Sequence, residues 1–120
     1  MPTVQTYRGS CHCGALRFTF RSEEITTGIR CNCSLCIRRG AVVSSRYYPP
    51  EAFDEIIGKD ALTIYRWGDL MMNHYFCPRC GVFPFSDVIE TPTRYRINLG
   101  CVEGLDPLAL DITVIDGRSL

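Results

Sequence analysis

The sequence predicts a mainly β fold built from small antiparallel sheets, and three observations carry that expectation. Apolar and polar residues alternate in Leu16-Arg17-Phe18-Thr19-Phe20 and again in Leu62-Thr63-Ile64-Tyr65-Arg66-Trp67, the period of a strand with one buried face. Glycine, proline and aspartate interrupt these runs at short intervals, at Gly9, Gly14, Gly40, Pro49-Pro50, Gly58, Gly68-Asp69, Gly81, Pro92 and Gly104, as turns between short strands require. Seven of the eight cysteines fall in three tight clusters, which can staple sheets too small to build a large core of their own.

In chain order, the first strand is expected over residues 4–8 and the second over 16–20, where leucine and phenylalanine take alternate places. A third covers 27–30. One helical turn is expected after Cys33, over Ser34-Leu35-Cys36-Ile37-Arg38-Arg39, with Gly40 as its left-handed cap. Strands are then expected at 41–47, 62–67, 73–76, 82–87, 94–99 and 111–115, where β-branched and aromatic residues recur in alternation. Within 62–67 that alternation places Tyr65 and Trp67 in the core, and Phe76 likewise in the next strand, rather than on a substrate platform. No repeat, linker or low-complexity segment stands out, so residues 1–120 are expected to form a single zinc-binding domain.

Charge narrows the function. Lys plus Arg and Asp plus Glu are 13 each, with no long basic run, so no nucleic-acid partner is expected. No stretch approaches the roughly 18 continuous apolar residues of a membrane span, and the segment before the first charge is not apolar. A soluble, cytoplasmic protein without a membrane partner is the expectation. Four disulfides would need an oxidising compartment and a route to it, and the sequence supplies neither.

The clusters are Cys11-His12-Cys13, Cys31-Asn32-Cys33-Ser34-Leu35-Cys36 and Cys77-Pro78-Arg79-Cys80, spacings suited to thiophilic metal. Zinc–thiolate bonds of about 2.3 Å put tetrahedral neighbours about 3.8 Å apart, closer than alternate side chains on a straight strand. Each C-x-C must therefore bend, and Gly14 directly after the first pair permits it. Two pairs close one tetrahedron, whereas three thiolates leave a second metal one ligand short. Spacing alone does not decide which cluster completes which site. The simplest closed set joins Cys11 and Cys13 to Cys77 and Cys80, leaving Cys31, Cys33 and Cys36 as the open site. Iron or an iron–sulfur cluster also suits sulfur ligands. Cys101 is available as a fourth ligand to the trio, and His12 and His74 are the remaining candidates. His12, between two ligands, would point away from them in an extended chain. Two Zn²⁺ held by seven thiolates would bring the loaded chain to about −3.

Taken together, Gly9-Ser10-Cys11-His12-Cys13-Gly14, the Cys31–Cys36 cluster with Arg38 and Gly40, Tyr65-Arg66-Trp67-Gly68, His74-Tyr75-Phe76-Cys77-Pro78-Arg79-Cys80-Gly81 and Pro84-Phe85 closely resemble the glutathione-dependent formaldehyde-activating family, over residues 9–104. The resemblance implies the Mss4-like β fold. It further implies a structural zinc at Cys11, Cys13, Cys77 and Cys80 and a catalytic zinc at Cys31, Cys33 and Cys36. Its namesake chemistry joins glutathione and formaldehyde reversibly at a carbon–sulfur bond. The ending over 110–118 is similar to a shorter branch of the family. Residues 98–104 match its late strand and turn, with Cys101 outside the usual ligand set.

The expectation is thus a zinc-dependent carbon–sulfur lyase whose partner is a small thiol or thiol adduct, glutathione among them. Zinc lowers the pKa of a bound thiol from about 8.5, and three thiolates favour a soft sulfur ligand over water. Arg38 and Arg39, just after the last ligand, are the expected carboxylate-binding residues. Glu103 and His74 are candidates for acid–base work. The competing class is a noncatalytic Mss4-like interaction module, which would need both metals closed or only one present.

Overall fold

The computed structural model describes residues 3–68 and 71–119. Asp69, half of an expected turn, lies outside them. Alternation in the second strand, β2 (Arg17–Glu23), turns Phe18, Phe20 and Ser22 inward and Arg17, Thr19 and Arg21 outward. β2 is the centre of a sheet flanked antiparallel by β1 (Val4–Ser10) and β5 (Phe53–Ile57). A second sheet places β3 (Thr27–Cys31) between β4 (Val43–Ser44) and β10 (Asp111–Ile115). A third runs β6 (Thr63–Tyr65), β7 (Met72–Phe76), β8 (Phe85–Val88), β9 (Tyr95–Ile97), antiparallel throughout. The mainly β expectation holds, with one addition. β10 pairs with β3 in parallel, because the chain reaches it only after a long excursion through the other sheets.

Phe18, Phe20, Tyr48, Tyr75, Phe85 and Tyr95 are buried in one core cluster, with Phe53 packed against it. Phe85 meets its neighbours edge-on, Phe18 at 5.7 Å and Tyr95 at 5.4 Å, while Phe18 and Phe20 stack at 6.0 Å, arrangements that ring quadrupoles favour. Burial of each phenylalanine is worth roughly 1.5–3 kcal/mol. Cys11 and Cys77 are 2% and 1% exposed and belong to the same cluster, so the first metal candidate is continuous with the core.

Three expectations are corrected. The strand expected over 41–47 shortens to Val43–Ser44, because Ser44 turns its hydroxyl to the Arg46 carbonyl and takes the Ile97 N–H. β5 was not anticipated. Its Asp54 and Glu55 are exposed on the charged edge of a sheet, and they break the apolar alternation that marks a strand. Tyr65 and Trp67 are not core residues, at 50% and 37% exposure. β6 is an edge strand ending at Tyr65, so the alternation stops before Trp67. Phe76 is half-buried. No helix among the described residues is long and apolar enough to cross a membrane.

Candidate metal centre

Two groups of sulfurs converge among the described residues, Cys11, Cys13, Cys77 and Cys80 in one and Cys31, Cys33 and Cys36 in the other. This is the partition that the simplest closed set anticipates. In the quartet, Cys11 Sγ lies 3.6 Å from Cys13 Sγ, which lies 3.7 Å from Cys77 Sγ. These separations match the edge of a zinc–thiolate tetrahedron, about 3.8 Å. The bend comes from Gly14 at φ 80°, where the Gly14 N–H returns to the Cys11 carbonyl. The Leu16 N–H donates to Cys11 Sγ at 3.4 Å, as a sulfur carrying negative charge requires. On the facing loop the Gly81 N–H closes onto the Cys77 carbonyl at 2.7 Å, turning Cys80 toward its partners. The N–H of Val82 is the first cause that lowers the Cys80 thiol to about 6.

The trio is built differently. Cys31 ends β3, Cys33 is the N-cap of α1 (Ser34–Arg39), and Cys36 sits one turn later. Cys33 Sγ accepts the Cys36 N–H and Cys31 Sγ the Cys33 N–H, both at 3.4 Å. Gly40 caps the helix at φ 65°, as expected. Burial, then the Cys33 thiol, pushes Cys36 up to about 12, against the pull of Arg39. Without a cation Cys36 therefore retains its proton. A divalent metal that releases it suits this donor set, and both groups fit zinc by ligand type and spacing.

The last segment of the chain walls the trio. The Asn32 N–H donates to the Ile115 carbonyl, Asn32 Nδ2 to Asp116 Oδ1 at 3.0 Å, and the Arg118 N–H to Asn32 Oδ1 at 2.9 Å. This clasp brings Gly117 so close that a Cβ there would collide with Cys31 Sγ and stand 3.2 Å from Cys33 Cβ.

The trio opens onto a cavity of about 530 Å³ lined by Val43, Trp67, Met72, Phe83 and Ile115 and by the polar Arg39, His74, Ser86 and Arg96. Register explains the polar row. His74 on β7 faces Ser86 on β8, which faces Arg96 on β9, and directly opposed residues share one face of a sheet. Arg39 joins the row from α1, its guanidinium 3.7 Å from the Phe83 ring centroid, with Nη1 3.3 Å from His74 Nδ1 and Nη2 3.6 Å from Cys36 Sγ. Ser86 Oγ lies 3.0 Å from the same His74 Nδ1. Guanidinium only donates, so Nδ1 accepts and the imidazole proton resides on Nε2. Burial, then Arg39, lowers His74 to about 4, and the ring is neutral at physiological pH.

The structure does not bring every expected residue to the cavity. Arg38 is exposed and donates back to the Ser34 carbonyl of its own helix; Arg39, not Arg38, lines the site. His12 is exposed and joins neither group. Cys101 also joins neither. Its thiol faces the Phe83 carbonyl at 3.7 Å, and burial pushes it up to about 12. Glu103 does not line the cavity. Ser86 and Arg96 were not anticipated, because only the strand register sets them beside His74.

A family model described as glutathione-dependent formaldehyde-activating enzyme matches residues 6–114. The chain is also similar to a crystal structure of a Rhodobacter sphaeroides protein, with TM-score 0.74 and 29% identity over 88% of this chain and 99% of the other.

Proposed function

The chain belongs to the glutathione-dependent formaldehyde-activating family, and from that premise we propose that it is a zinc-dependent carbon–sulfur lyase acting on S-(hydroxymethyl) thiol adducts of the kind that glutathione forms. The observation that carries this reading is the asymmetry of the two sulfur groups. Cys11, Cys13, Cys77 and Cys80 offer four converging sulfurs, a set that would hold a structural zinc with no place for substrate, whereas Cys31, Cys33 and Cys36 offer only three, would hold a catalytic one, and face a cavity. Bound there, zinc supplies a fourth position in which the substrate sulfur is held and its thiolate form favoured.

The chain's own residues do the rest. In cleavage the C–S bond breaks with its electron pair passing to sulfur, the adduct hydroxyl loses its proton as the C=O bond forms, and sulfur takes up one proton. Thiol and aldehyde result with no change of oxidation state. The neutral His74 directs its Nε2–H toward the oxygen that becomes the carbonyl, a donor in a site partly closed to water. Arg39 fixes that tautomer through Nδ1 and sets positive charge beside Cys36. Ser86 holds the other approach to Nδ1. Trp67, Met72 and Phe83 exclude water, which otherwise hydrates a free aldehyde.

The test follows exchange between formaldehyde, a thiol and their adduct by NMR on zinc-loaded protein. Acceleration above the spontaneous rate is expected, and its loss in Cys36→Ser. A rate equal to the buffer's for every thiol and aldehyde pair tried would sink the proposal.

A further inference from the structure

Arg96 stands apart from the other polar residues of the cavity. Its guanidinium packs over the Tyr47 ring at 4.3 Å, which secures the side chain without neutralising it. Its Nε is buried without a hydrogen-bond partner, and among the described residues no carboxylate pairs with it or with Arg39. Buried donors in native structures are almost always satisfied. Arg39 also has an unpartnered buried Nε, but its other nitrogens already serve Cys36 and His74. Among the described residues the cavity lining includes no aspartate or glutamate. Two arginines thus face a space whose apolar walls are Val43, Trp67, Met72, Phe83 and Ile115.

We infer that this end of the cavity is an anion seat, centred on Arg96 and completed by Arg39. The substrate is then a thiol whose far end carries a carboxylate or sulfonate, joined to the sulfur through an apolar body and bearing no ammonium group. This inference rests on the proposed site and narrows its substrate class. Guanidinium binds such planar or tripodal oxyanions through paired donors. An ammonium would meet two arginines and, among the described residues, no acid, so cationic thiols are disfavoured and a zwitterionic one gains less than a simple anion. Three thiolates around a divalent ion carry one net negative charge, and an anionic substrate adds to it. The second arginine offsets that repulsion where Arg39 alone is already engaged.

Binding is measured apart from catalysis with probes that contain no sulfur. Trp67, the chain's single tryptophan, lies in the cavity lining and reports occupancy by fluorescence. On the zinc-loaded chain 3-phenylpropionate is expected to bind about tenfold more tightly than 3-phenylpropanamide, given the strength of hydrogen bonds to a charged group, and 2-phenylethylamine more weakly still. Arg96→Gln should remove the advantage of the acid while leaving amide binding unchanged, and Arg96→Lys should restore part of it. Equal affinities for acid and amide in the unmodified chain overturn the inference without recourse to any variant, as does an Arg96→Gln protein that is folded and still prefers the acid. Failure of adduct cleavage with the acid preference intact overturns the lyase reading and leaves the anion seat standing.

Discussion

The two sulfur groups use the same ligand chemistry in opposite surroundings. The quartet draws two ligands from each of two loops separated by more than sixty residues, and Cys11 and Cys77 sit inside the aromatic core. The trio draws all three ligands from one strand end and the helix after it, every one half-buried beside a cavity. A clip across distant segments contributes its binding energy to folding. A local cluster at a cavity wall fixes little beyond its own loop and is free to serve a ligand. On the proposed reading, position in the fold, more than ligand identity, separates structure from chemistry.

Breaking one group at a time tests that separation most strongly. Cys77→Ser is expected to abolish cooperative unfolding or lower Tm drastically, since structural zinc is worth about 10–16 kcal/mol in small zinc domains against a total domain stability of about 5–15 kcal/mol. Cys36→Ser should halve the zinc content, abolish adduct exchange and leave the melting transition nearly in place. Metal analysis with calorimetry reads both, and equal damage from the two changes would erase the distinction. A smaller effect is expected from Gly117→Ala, whose new Cβ meets Cys31 Sγ. Overpacking of this kind costs roughly 1–3 kcal/mol. It should appear as weakened metal binding at the trio alone, measured by competition with a chelator, and unaltered retention of one zinc per chain is part of the expected result.

Much of this contrast was legible in the sequence. The spacings of Cys11-Cys13, Cys31-Cys33-Cys36 and Cys77-Cys80 fixed the candidate ligands, because metal geometry is local and tolerates few separations. The turn over Ser34–Arg39 and its cap at Gly40 were equally plain. Arg96 was not. In a run of alternating residues, Arg94 and Arg96 look like a solvated strand face, and only pairing of β9 with β8 and of β8 with β7 shows that Arg96 shares a row with His74. Trp67 misleads for the same reason: alternation says which way a side chain points, not whether another layer covers it. Arg38 and Arg39 are adjacent in sequence, but a helix turns them about 100° apart, and only one meets the cavity.

The finest test concerns His74. Its folded value of about 4 lies below the ordinary 6.5, so the unfolded chain takes up this proton first as the pH falls. His74 contributes fully to stability above about pH 6.5, and that contribution declines as the pH falls toward 4. Solvent in the cavity screens the effect, which will be smaller than the whole shift implies. Melting curves from pH 8 to 5 should therefore fall more steeply for the native chain than for His74→Gln. Parallel curves would mean that His74 is ordinary and that the cavity is wetter than its walls suggest.

The clasp of Asn32 by residues 115–118 also carries an order of events. The quartet has all its ligands once residue 80 has left the ribosome, yet the wall beside Cys31 waits for Gly117, in the turn that follows β10. During synthesis an ion at the quartet can be captured first, and the trio acquires its finished surroundings only once residues 115–118 have followed.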